Sequence, residues 1–177
     1  KHSPQPMNVE SLMSGPLEPT NQAYAVAKIA GITICQAYRQ QYGANFISVI
    51  PANDFGPGDD FDLENAHVIG ALIRKMHDAK ENGVKSVEIW GTGTPKRDFI
   101  FVDDLAKACL FAMCAYDGLN PLNIGTGLEV SISELSELIK ETVGYDGEII
   151  FNTKKLLVTG VKNYDCFLTP CYWRQKL

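Results

Sequence analysis

The segment Asn45-Phe46-Ile47-Ser48-Val49-Ile50 constrains the fold of this chain more than any other stretch. It is short, aromatic and β-branched, almost continuously apolar, and it stops at Pro51. A strand with one wet face alternates apolar and polar residues; a run without alternation predicts a strand covered on both faces, as in a parallel sheet. The loop that follows, Ala52-Asn53-Asp54-Phe55-Gly56-Pro57-Gly58-Asp59-Asp60, is rich in turn residues. It would lie at the carboxyl end of that strand, where ligands gather in open α/β sheets.

The rest of the chain supplies the helices such a sheet requires. Residues 1–20 carry four prolines and read as a loop feeding a helix that Thr20 or Asn21 can cap and Gly43 stops. Ala23, Val26, Ala27, Ala30, Ile34, Ala37 and Tyr38 form its apolar stripe, with Tyr24, Lys28, Gly31 and Cys35 alongside. A second helix is expected from about Asn65 to Ala79, with Ile69, Leu72, Ile73 and Met76 inward. A strand over Ser86–Trp90 then leads through a glycine turn to another over Asp98–Val102, as a hairpin or as two separate strands. Asp103 is placed to cap a third helix with Leu105, Ala108, Cys109, Ala112 and Met113 buried. Leu122–Ile124 reads as a strand. Ser131-Ile132-Ser133-Glu134 is a capping box, stapled by Val130 and Leu135, for a helix over 132–143 that Gly144 ends. Glu148–Phe151 is the last expected strand. Strands alternate with helices, so the class is α/β.

Composition narrows the function. The net charge of −5 argues against a nucleic-acid or membrane surface built on bulk positive charge. No apolar run approaches the roughly 18 residues of a membrane span, and residues 1–20 lack the apolar core of a secretion signal, so a cytoplasmic protein is expected. Five cysteines without a Cys-x-x-Cys pair make a poor disulfide or zinc framework, and Cys35, Cys109, Cys114, Cys166 and Cys171 read as free thiols. The opening Lys-His-Ser-Pro-Gln-Pro-Met looks cut from something longer.

Several residues could carry chemistry. Tyr24 and Lys28 are four apart on a helix and share a face, so the ammonium can stabilise a phenolate and make the phenol a usable general acid. The ordinary alternative is an interface tyrosine beside a solvated lysine. His67, near a helix start, is a candidate acid/base or a surface histidine. Lys75 and Arg97 could grip a diphosphate, with Trp90 as a stacking face for a base; a solvated helix face and a strand-end arginine are the plainer readings. The turns Gly91–Gly93 and Gly125–Gly127 lack the third glycine of a dinucleotide fingerprint.

Taken in order, Pro4-Gln5-Pro6-Met7, Gly15-Pro16-Leu17-Glu18-Pro19-Thr20-Asn21, Tyr24-Ala25-Val26-Ala27-Lys28, Ser48-Val49-Ile50-Pro51-Ala52-Asn53, Asn65-Ala66-His67-Val68, Trp90-Gly91-Thr92-Gly93-Thr94-Pro95, Arg97-Asp98-Phe99, Val102-Asp103-Asp104-Leu105 and Asn123-Ile124-Gly125-Thr126-Gly127 resemble the extended short-chain dehydrogenase/reductase family. Within it, they resemble the enzymes that convert GDP-4-keto-6-deoxy-mannose to GDP-L-fucose. The similarity runs over about residues 4–157. It implies the C-terminal half of an NAD-dependent epimerase/dehydratase domain over 1–157, an incomplete Rossmann-type parallel sheet with a sugar-nucleotide region, and a divergent tail over 158–177.

The resemblance implies catalytic roles for Tyr24, Lys28 and His67. It implies NADP(H) binding by Tyr24, Lys28, Pro51, Ala52, Asn53, Asp54 and His67, and GDP-sugar binding by Lys75, Trp90 and Arg97. It also implies a homodimer or pairing with a full-length homologue. Asp54 stands where the family usually has leucine or another apolar residue. The family's glycine-rich pyrophosphate loop, catalytic serine and partner cysteine would precede Lys1, and its Pro-Asp-Gly-Thr segment is absent near Lys154-Lys155. Two further readings stay open: a truncated, non-catalytic binding protein, and another sugar-nucleotide epimerase or dehydratase.

Overall fold

The computed structural model describes residues 8–63 and 66–154. The motif residues Pro4–Met7, the expected helix start at Asn65, Cys166, Cys171 and the tail over 158–177 lie outside the described residues. Among the described residues four α-helices, α1 (Gln22–Tyr42), α2 (Val68–Glu81), α3 (Val102–Ala115) and α4 (Ile132–Val143), are interspersed with seven strands: β1 (Val49–Pro51), β2 (Asn53–Phe55), β3 (Ser86–Trp90), β4 (Lys96–Phe101), β5 (Leu122–Ile124), β6 (Glu129–Ser131) and β7 (Glu148–Asn152). Strand β2 falls inside the stretch expected to be loop, and β6 was not expected. The described residues form two compact units, one from 8–54 and 98–128, the other from 55–97 and 129–154.

In the first unit β1 and β5 are parallel, with Val49 opposite Leu122, Ile50 opposite Asn123 and Pro51 opposite Ile124. The expected strand over 45–50 shrinks to 49–51 for a local reason. Gly43 turns in the left-handed conformation (φ 66°), Phe46 N–H bonds Ala44 O, and Arg39 Nη1 donates to Asn45 Oδ1 and Phe46 O. Those bonds hold Asn45 and Phe46 out of the ladder. Ala52, Ile100, Ala108, Ala112, Leu122 and Ile124 form the core. The alanines of α3 let its backbone come close to the strands. Met113, expected inside, is 67% exposed; it lies about 100° round the helix from Ala112. Asp103 is not the cap either: α3 starts at Val102 after Phe101, which puts Asp103 in the first turn, where its charge favours the helix dipole.

Helix α1 has no buried residue. Its half-covered side carries Ala25, Ile29, Ile32, Cys35, Gln36 and Arg39, whereas the apolar stripe with Val26, Ile34 and Tyr38 is 47–56% exposed. Arg39 Nη2 fixes the C-terminal turn by pairing with Asp117 Oδ1 at 2.6 Å.

In the second unit β3 and β7 are parallel from Ser86 opposite Glu148 to Trp90 opposite Asn152. Among the described residues β3 pairs with β7 alone and β4 belongs to another sheet, so the two strands are separate rather than a hairpin. Helix α2 begins at Val68, with His67 as its cap residue, rather than near 65. Its Leu72, Met76 and Ala79 share the interior with Val87, Ile89, Ile132, Leu135, Ile139 and Tyr145. The capping box of α4 is present as expected: Ser131 Oγ accepts from Glu134 N–H, and Glu134 accepts from Ser131 N–H. Gly93 cannot be replaced without repacking, because a Cβ there would sit 2.6 Å from the Phe151 ring, and its φ of +74° is itself costly for other residues.

Candidate functional site

Tyr24 and Lys28 lie in the first two turns of α1, in the first unit. Helical spacing stacks them, and the Lys28 ammonium is 5.4 Å from the Tyr24 ring centroid. The phenol is 67% exposed, so its hydroxyl is available to a ligand. A proton donor beside a fixed cation is suited to protonating an oxygen that gains negative charge, because the cation stabilises the phenolate left behind.

The same unit holds the carboxyl ends of β1 and β5. Pro51 and Asp54 are exposed, and Ala52 is buried. Its N–H donates to Ile124 O at 2.7 Å, extending the ladder one residue past Pro51. Asn53 is half-buried, and its Nδ2 donates to Asp98 O at 2.9 Å. Asp98, only 2% exposed, gathers the far side of this edge: Oδ1 accepts from Thr126 N–H at 3.1 Å and from the Thr126 hydroxyl, and Oδ2 accepts from Gly127 N–H at 3.0 Å. Residue patterns gave Asp98 no role of its own. The signal was a carboxylate at the head of the apolar run Phe99-Ile100-Phe101, since buried carboxylates need several donors.

The second unit carries the other candidates. His67 is exposed at the start of α2; its carbonyl accepts the first helical bond from Ala71, and its side chain makes no capping bond. Lys75 and Trp90 come together: the ammonium is 5.1 Å from the ring centroid and donates to Glu88 O at 3.3 Å. They line an open groove of about 450 Å³ with Asp78, Val87 and Glu88. Along β3 the exposed Glu88 and Trp90 alternate with the buried Val87 and Ile89. Arg97 is 6% exposed, and its Nη1 donates to Lys96 O at 2.7 Å. Among the described residues no group of His, Cys, Asp and Glu could hold a metal.

Residues 1–125 match the family model described as the NAD dependent epimerase/dehydratase family. The chain belongs to that family. Among its epimerase/dehydratase relatives, a probable GDP-L-fucose synthase 1 of Oryza sativa subsp. japonica is 54% identical over 155 residues, covering 88% of this chain and 47% of the relative. Two solved structures share the fold. A GDP-D-glycero-L-gluco-heptose synthase from Campylobacter jejuni, solved in the presence of NADPH, superposes with a TM-score of 0.85 at 33% identity, over 94% of this chain and 59% of the other. A GDP-L-fucose synthetase from Naegleria fowleri bound to NADP gives 0.84 at 30% identity, over 92% and 54%. These matches bear out the α/β, Rossmann-type expectation. The chain spans about half the length of the curated relatives it matches.

Proposed function

We propose that this chain is the reductase-bearing part of a GDP-L-fucose synthase, acting on a GDP-linked 4-keto-6-deoxy sugar with NADP(H). The observation that carries the reading is the exposed Tyr24 with the Lys28 ammonium over its ring, in a chain 54% identical to a relative of that name. The donor set suits a nicotinamide cofactor: a phenol for a ketone oxygen, an ammonium for ribose hydroxyls, and an amide at Asn53 beside the carboxyl ends of β1 and β5. Tyr24, Lys28, Pro51, Ala52, Asn53, Asp54 and His67 would hold the nicotinamide end, which supplies a hydride when bound.

The chain's own residues supply part of the remaining chemistry. Tyr24 donates its proton to the ketone oxygen as that oxygen becomes an alkoxide, and Lys28 stabilises the resulting phenolate. Carbons beside a ketone give up protons to a modest base because the charge moves onto oxygen, and His67 is the group assigned to that exchange. Lys75 and Arg97 supply positive charge for the diphosphate, and Trp90 supplies a face for the base.

The test is a chimaera in which the part of a matched relative that does not align with this chain is joined to it. With GDP-4-keto-6-deoxy-mannose it should consume NADPH and release GDP-L-fucose. A product with its C3 or C5 configuration unchanged would remove the epimerase role of His67, and no NADPH consumption would remove the reductase reading.

A further inference from the structure

We propose that Asp98 is the positioning residue for the nicotinamide end of this site, an inference that rests on the cofactor reading above. Strands β1 and β5 are paired up to Pro51 and Ile124. Asn53 and Thr126 therefore stand at the same depth, each two residues beyond the last pair, on the edge where open α/β sheets bind ligands. Asp98 ties both. Its carbonyl accepts the Asn53 amide N–H, while its carboxylate accepts three donors from Thr126 and Gly127.

Two consequences follow from donor and acceptor chemistry. A carbonyl can only accept, so the bond at 2.9 Å fixes which way the Asn53 amide faces and leaves its oxygen as the atom that can accept from a ligand. The Thr126 and Gly127 amides of the turn at Gly125–Gly127 are not turned toward a ligand, because they already point at Asp98. Asparagine at position 98 would keep the size but set an N–H against one of those N–H groups, releasing the turn; the backbone carbonyl that holds Asn53 is kept, and the Asn53 amide moves with it as residue 98 shifts.

The first measurement uses the ¹⁵N-labelled 177-residue chain without any ligand. In Asp98→Asn, the Thr126 and Gly127 amides should exchange about tenfold faster or more, the loss expected for one charged hydrogen bond. The side-chain NH₂ signals of Asn53 should move toward those of a free amide, while the amides of β3 and β7 stay unchanged. Thr126→Val removes the hydroxyl alone and should move the Asn53 signals the same way by less, which keeps the test open if Asp98→Asn does not fold. Asn53 signals that stay put in the folded variants overturn the proposal. In the chimaera, Asp98→Asn should raise KM for NADPH about tenfold with kcat nearly unchanged; an unchanged KM also overturns it. A parent chimaera without reductase activity defeats the cofactor reading instead, and the NMR result then decides the positioning of Asn53 by itself.

Discussion

Lys28 over Tyr24 and Lys75 over Trp90 are the same contact put to different uses. Each gains roughly 0.5–1 kcal/mol at an exposed site, too little to hold the fold but enough to favour one lysine rotamer. On α1 that rotamer keeps a cation beside a phenol; in the groove it keeps a cation beside an indole. Thiols show how environment separates residues of one type. Burial pushes the Cys109 thiol up, so less of it is thiolate at neutral pH, whereas Cys114 is exposed. Iodoacetamide at pH 7 should therefore modify Cys114 well before Cys109, as read by peptide mass spectrometry. Equal rates would mean that α3 opens readily.

At the scale of elements, α4 is held by its first turn. Removing the Ser131 hydroxyl should cost about 1 kcal/mol in urea unfolding. The hydrogen bonds from the Ser131 side chain and backbone hold the Glu134 carboxyl below its ordinary value, with Lys96 adding to the effect. A group lowered in the folded state stabilises above its unfolded value of about 4.3, and that contribution disappears as pH falls through the folded value. Glu134→Gln should thus flatten the loss of stability on acidification below about pH 4–5, and an unchanged acid limb would show that the box contributes nothing there. This helix was legible from the sequence because cap, stripe and glycine stop are all local; β3 and β5 were legible from short runs bounded by turn residues. Elsewhere a long-range partner decided the outcome. Arg39 shortens β1 from the preceding helix, β7 takes β3 away from a hairpin, and Asp98 acquires its role only when Thr126 and Gly127 fold back to it. Tyr24 and Lys28 were found by spacing; Lys75 and Trp90 were named together with Arg97 as one nucleotide grip, and the direct contact between Lys75 and Trp90 appears only in the fold.

At the scale of the molecule, the chain spans about half of its curated relatives and leaves apolar surface open. Val26, Ile34, Tyr38, Tyr42 and Phe46 are each 47–65% exposed, and among the described residues β1 and β5 pair only with one another. Such a surface favours association. Sedimentation velocity should show dimers or larger species at micromolar concentration, and Ile34→Lys with Tyr38→Lys should shift them toward monomer; a stable monomer of the parent chain would contradict this. The central claim concerns Tyr24 and is tested most directly by replacing it with phenylalanine in the chimaera. General-acid catalysis contributes about 10²–10⁴-fold. NADPH oxidation at 340 nm with saturating ketosugar should fall by at least about a hundredfold, with KM for the sugar little changed; a rate within a few fold of the parent would contradict a reductase role for Tyr24.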